Sequence, residues 1–234
     1  MTTYVLVHGA WSGAHTFRLV RPLLAARGHG VFTPSLTGIG ERAHLTSPQV
    51  DLSTHISDVV NAVLYEDLRD IVLLGYSYGG MVVTGALEHI GDRVHHLVYL
   101  DAFVPADGQS LFGLVGRPVA DGFTIGEEWL VPPPPREFDD PVEGALMAAR
   151  RTPHPLRCFT EAVRLRRPLE EHPFGLTYIR ATADAPTSPG SGPFDVAAAH
   201  ARTSPAWEYR EVDTNHMVAS NRPRELADLL LEVA

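Results

Sequence analysis

The stretch Gly75-Tyr76-Ser77-Tyr78-Gly79 sets one serine between glycines two places to either side. A strand that must turn at once into a helix while holding a side chain at its apex needs a strained backbone. Glycines at those flanking positions remove the Cβ atoms that would collide there. The surroundings fit such a turn: DIVLLG reads as a β-run before Ser77, and GMVVTGALEHI as an amphipathic helix after it. A serine hydroxyl attacks poorly until a base takes its proton and N–H donors stabilise the oxyanion that forms. The chemistry this pattern points to is acyl transfer through Ser77.

The base must be sought among 12 histidines. His29, His89, His172 and His200 fall in helix ends or loops, and His95 and His96 open a strand. His216 stands apart, in VDTNHMVASNRP, after the last strand and before the last helix. That loop lies at the edge where the strands' carboxyl ends point, so His216 is the expected general base and acid. The acid that orients it should follow another strand. Asp184, in YIRATADAP, is the better placed; Asp101, closing VYLDAF, is its rival, since a carboxylate there also reaches the histidine. Asp213, three residues before His216, reads as a loop-stabilising residue. The oxyanion hole is expected from the backbone N–H of Tyr78, after the nucleophile, and of Ala10, where Gly9 lets the HGAW loop turn. His8 reads as a hydrogen-bonding residue of that loop.

The elements that must position these residues alternate. YVLVHG, GVFTPS, DIVLLGYS and VHHLVYLDAF are short apolar strands. Between them, Phe17, Val20, Leu23 and Leu24 fall at helical spacing up to Gly28, as do Ile56, Val59, Val60, Val63 and Leu64. Such alternation predicts right-handed βαβ units and a parallel sheet buried on both faces. The rhythm stops at Pro105 and resumes with GLTYIRAT, a short helix near 194–201, the strand WEYREV and a final helix over 223–233. Residues 105–173 therefore read as a cap inserted into a core formed by 1–104 and 174–234, with the prolines at 132–135 as a rigid connector.

Composition narrows the function. A net charge of −9 offers no basic face to phosphates, which argues against nucleic acid or an anionic membrane as partner. A single cysteine, Cys158, excludes an internal disulfide framework and a multi-cysteine zinc site, and reads as a small buried hydrophobe. The opening MTTYVLVHG has no signal-peptide pattern, no apolar run reaches membrane-spanning length, and a cytoplasmic location is expected. Self-association into a homodimer is compatible with the sequence. All 19 basic residues are arginine.

The order serine, acid, histidine, with VLVHGAW, GYSYGG, YLDAFVP, YIRATAD and NHMVASNRPRELADLLLEVA in sequence, resembles the α/β-hydrolases, in the branch of plant methylesterases, hydroxynitrile lyases and related bacterial esterases. The resemblance is strong at both ends of the chain and weak in the cap. It implies an α/β-hydrolase fold with a mostly parallel six-stranded sheet flanked by helices, Ser77 as nucleophile, Asp184 as acid, His216 as base, Ala10 and Tyr78 as oxyanion donors, and no metal or organic cofactor. The lyases of the branch carry a threonine at the position of Gly9 and a lysine at that of Met217, and this chain has no lysine. That favours ester hydrolysis. Leu111, Phe112, Leu114, Trp129 and Phe138 of the cap, with Trp11 and Met217, suggest a pocket for small-to-medium apolar acids, aromatic ones included. A hydroxynitrile lyase and a slow-turnover ligand sensor are the alternatives.

Overall fold

In the computed structural model, which describes residues 1–117, 128–183 and 192–234, the β-rich runs of the sequence become strands. In chain order, β1 (Thr3–Val7), α1 (Arg21–Ala25), β2 (Gly30–Phe32), α2 (Leu52–Tyr65), β3 (Ile71–Tyr76), α3 (Gly79–Ile90) and β4 (Val94–Leu100) come first. Shorter pieces follow: α4 (Leu111–Leu114), β5 (Leu130–Val131), α5 (Pro141–Ala148), β6 (His154–Pro155) and α6 (Arg157–Thr160). The long rhythm returns with β7 (Gly175–Ala181), α7 (Pro193–Thr203) and β8 (Trp207–Val212), and closes on α8 (Val218–Asn221) and α9 (Pro223–Glu232). Six strands pair in parallel in the order β2-β1-β3-β4-β7-β8, and β5 and β6 form a separate antiparallel pair.

Side-chain alternation within the strands divides the core into two faces. Val5 and Val7 of β1, with Ile71 and Leu73 of β3, pack under α2 and α3. Tyr4 and Leu6, with Val72 and Leu74, pack under α1 and α9. β3 is buried along its whole length, as a central parallel strand with both faces covered must be. α2 starts where Asp51 accepts from the Thr54 N–H at 2.9 Å and the Thr54 hydroxyl accepts from the Asp51 N–H, a reciprocal cap.

The first helical stretch differs from its expected single helix. Residues Ala14–Phe17 form a 3₁₀ turn, and α1 begins only at Arg21, with Pro22 in its first turn. Proline has no N–H for an interior helical bond, so the chain restarts the helix there. Phe17, Val20 and Leu24 still reach one buried cluster.

The segment between β4 and β7 packs on the carboxyl edge of the sheet. Its β5–β6 pair bonds to the loop after β1: Trp11 donates its indole N–H to Val131 O at 2.9 Å and its backbone N–H to His154 Nδ1 at 3.2 Å. Thr152 N–H donates to Trp11 O at 3.1 Å. No helix among the described residues is long and apolar enough to cross a membrane.

Candidate active site

Ser77 stands between β3 and α3 with φ of 56°, in the left-handed region that side chains rarely adopt. The neighbouring glycines are required there. A Cβ on Gly75 would lie 2.6 Å from Val83 Cγ2, and one on Gly79 2.6 Å from the Val7 carbonyl oxygen. The strained turn is held from both sides: Ser77 N–H donates to Leu100 O at 3.1 Å, and Ser77 O accepts from Phe103 N–H at 3.2 Å.

His216 reaches this serine across the sheet edge. Its Nε2 lies 3.0 Å from Ser77 Oγ, and its Nδ1 lies 2.6 Å from Oδ2 of Asp101. Among the described residues, the carboxylate on Nδ1 is the one closing β4, next to the strand that carries the serine. Asp184, which the sequence favoured for this contact, lies outside the described residues. Asp101 also has a left-handed backbone, φ 41°, fixed by its N–H donating to Ile179 O at 2.7 Å. Its second oxygen, Oδ1, accepts from the Ala181 N–H at 3.2 Å and from the Arg180 guanidinium. Burial by itself raises the Asp101 pKa; the hydrogen bond to His216 and the charges of His216 and Arg180 outweigh it and hold the carboxyl below its ordinary range. Tyr76 Oη donates to His216 O at 2.7 Å, and the Phe194 ring stacks on the imidazole at 5.4 Å. Arg180, Asp195, Tyr76 and Phe194 all support this site, and sequence reasoning singled out none of them. Arg180 gave one signal, a charge inside an otherwise apolar strand run.

The oxyanion side is built differently. The backbone N–H groups of Ala10 and Tyr78 find no acceptor among the described residues, and both residues line the cavity that holds Ser77. Beneath them lies a set of buried neutral groups. His8 bonds Gly9 O through Nδ1 at 2.9 Å and accepts from Leu36 N–H at Nε2, the loop role expected of it. His55 bonds the Tyr78 hydroxyl at 2.9 Å and Thr37 O at 2.7 Å. Burial pushes the pKa of both down to about 4, and drives that of His154 well below its usual value. Trp11, bonded to His154, is a third left-handed residue, with φ of 59°.

Among the described residues, one group brings metal-ligating types together: atoms of His55, His154 and Cys158 lie within 4.8 Å of one another. Both ring nitrogens of His55 are already engaged, and His154 Nδ1 is taken by Trp11. Burial raises the Cys158 thiol pKa, keeping its proton on. These residues fit a hydrogen-bonded support for the oxyanion loop better than a cation site.

Two cavities meet Ser77. The larger, about 580 Å³, is lined by Trp11, Phe103, Leu111, Phe112, Phe159 and Phe194. The smaller, about 40 Å³, is lined by Trp11 and Met217 with Phe138 and Met147. Trp129 is not among the described lining residues of either; its carbonyl accepts from Leu156 N–H at 2.8 Å, between the strands of the insertion.

A parallel sheet with a serine on a left-handed turn after a central strand, and a histidine after the last strand, defines a class. Residues 4–229 match the α/β hydrolase family, and the chain belongs to it. It is 49% identical over 117 residues to a carbendazim hydrolyzing esterase of Nocardioides sp. (strain SG-4G), covering 50% of this chain and 48% of that one. It is 36% identical over 122 residues to a pyrethroid hydrolase of Sphingobium wenxiniae, covering 50% and 42%. The matched stretches thus span about half the length of these curated relatives or less. An extracellular α/β-hydrolase from a Paenibacillus species superposes with a TM-score of 0.80 over 100% of this chain and 99% of that one, at 23% identity, which speaks for the fold.

Proposed function

We propose that the protein is a serine hydrolase cleaving carboxylic esters of small-to-medium apolar acids, aromatic ones included, through an acyl-enzyme. One observation carries this: the chain of contacts from Asp101 through His216 to Ser77, at 2.6 and 3.0 Å. In this reading, Ser77 Oγ attacks the ester carbonyl carbon as His216 Nε2 takes its proton. The oxyanion accepts from the N–H groups of Ala10 and Tyr78. Collapse expels the alcohol, which leaves with the proton from His216, and water repeats the sequence to free the acid. Asp101, rather than Asp184, is the acid of this proposal, because it bonds Nδ1 and stabilises the imidazolium. The aromatic lining of the 580 Å³ cavity supports an apolar acyl or alcohol group. Relatives named as a carbendazim hydrolyzing esterase and as plant methylesterases support ester cleavage. A cytoplasmic setting, without nucleic-acid or membrane partner, belongs to the same proposal and rests on the acidic charge and the lone cysteine.

A relative named as an α-hydroxynitrile lyase is also similar, 30% identical over 108 residues. The cations that line the smaller cavity with Ser77 and His216 are Arg136 and Arg151, not a lysine after the histidine as in the lyases that this chain resembles. The residue after His216 is a thioether, and a Cβ on Gly9 would lie 3.0 Å from Ser77 Cβ, so a threonine there would press on the nucleophile. The test is a panel of p-nitrophenyl and methyl esters with mandelonitrile beside them. Multiple turnover of an aryl ester is expected, with stoichiometric organophosphonate labelling of Ser77 and loss of activity by several orders of magnitude in Ser77→Ala. Labelling of another serine, or ready release of benzaldehyde and cyanide, would sink the proposal.

A further inference from the structure

The acid beside His216 does not stand alone. Arg180, on β7, is 6% exposed and donates through Nη1 to Asp101 Oδ1 and, at 2.8 Å, to the Ala181 carbonyl. Its other terminal nitrogen, Nη2, donates to Asp195 Oδ1 at 2.8 Å. Asp195 lies in the first turn of α7, next to Phe194, whose ring stacks on the imidazole.

A guanidinium placed on a catalytic carboxylate has two opposed effects. It fixes the carboxylate, so that Oδ2 faces His216 Nδ1 in one orientation. It also cancels the charge that the imidazolium needs once Ser77 has lost its proton. An Asp101–Arg180 pair by itself is formally neutral, and a neutral pair stabilises a buried imidazolium less than a bare carboxylate does. A second carboxylate on the far side of the same guanidinium restores the balance: two carboxylates and one guanidinium carry one net negative charge.

We propose that Arg180 and Asp195 are positioning residues of the acid, Arg180 orienting Asp101 and Asp195 returning the net negative charge that stabilises the His216 imidazolium. The inference rests on Asp101 being the acid. Among the described residues, the charged and titratable groups facing His216 are Asp101 after β4, Arg180 on β7, Asp195 on α7, Ser77 and Tyr76 at the end of β3, Tyr78 and Arg117 in the larger cavity, and Arg136 and Arg151 across the smaller one.

The experiment is the pH profile of kcat/KM for a neutral aryl ester. Asp195→Asn is nearly isosteric and only partly buried, so it keeps the fold. It removes a negative charge that favours the imidazolium and moves the acid limb to lower pH by about half a unit or more, with lower kcat. Arg180→Gln removes a positive charge and moves the limb the opposite way. Asp195→Glu keeps the charge and returns the limb to its wild-type position. An Asp195→Asn limb that coincides with wild type, or charge-removing variants that shift in the same direction, overturns the proposal. If Arg180→Gln does not fold, the Asp195 pair still decides. Asp101→Asn is run beside them: retained turnover there means the acid has been misassigned, which is a different failure from an unmoved limb.

Discussion

Ser77 divides two kinds of buried polar structure. On the side of β4, β7 and α7, formal charges are buried together: Asp101, Arg180 and Asp195. On the side of the β1 loop and the insertion, His8, His55 and His154 are buried at 0% exposure, and burial outweighs the carboxylates of Glu41 and Asp51 around them and, with Arg42, keeps them neutral. In the proposed reaction, the difference follows from what each side must stabilise. An imidazolium forms on the first side and needs an anion held ready. An oxyanion forms on the second, where backbone N–H dipoles suffice if the loop bearing them is rigid. A buried carboxylate–guanidinium cluster sits on one flank and a set of buried neutral imidazoles on the other.

The most severe way to break this contrast is to neutralise the charged flank. Asp101→Asn leaves the imidazole without its anion and favours the wrong tautomer, so kcat should fall by about 10³ to 10⁴. Steady-state kinetics on an aryl ester reads this directly. A loss of tenfold or less would move the acid elsewhere, Asp184 being the first residue to replace next.

Acid attacks the neutral flank instead. The folded-state pKa of His8 and of His55 is depressed to about 4, below the ordinary histidine value of 6.5. Between those values the unfolded chain binds protons that the folded chain refuses. Stability is therefore fully present above pH 6.5 and is lost as pH falls toward 4, by about 1.4 kcal/mol per pH unit for each histidine. Asp101 adds a loss in the same direction, at lower pH, as its depressed pKa is crossed. Urea midpoints measured from pH 7 to pH 4.5 should fall steadily, and more shallowly in His55→Gln. A flat midpoint over that range would show that these imidazoles do not stay neutral.

The smallest effect should come from the support of the oxyanion loop. His154→Ala leaves the Trp11 N–H without its acceptor and frees a strained residue adjacent to Ala10. We expect kcat to fall by about tenfold, since a misaimed oxyanion donor costs less than a removed one, with KM nearly unchanged. His154→Asn, whose side-chain oxygen accepts the same N–H, should recover part of the loss. Equal kcat in wild type and His154→Ala would detach the insertion from catalysis.

What could be read in the chain was local. Gly75 and Gly79 around Ser77 announced the left-handed turn, because the steric need for glycine there is settled within a few residues. The near-continuous burial of β1 and β3, and the helices returning over each face, followed from apolar spacing, as did the place of His216 after the last strand. Helix α1 departed from its apparent pattern only because Pro22 overrides periodicity. The contact on His216 Nδ1 was a different matter. Asp101 and Asp184 each follow an apolar strand run in the sequence, and sequence spacing cannot measure that Asp101 comes within 2.6 Å of an imidazole more than a hundred residues away. That distance depends on strand order, on a left-handed turn at Asp101 that no glycine announces, and on Arg180 reaching across from β7. The sequence alone determined the serine turn and the sheet that carries it, because both rest on short-range sterics and apolar strand runs. Tertiary structure decided the electrostatic partners, because charges act through space between elements that are neighbours only after folding.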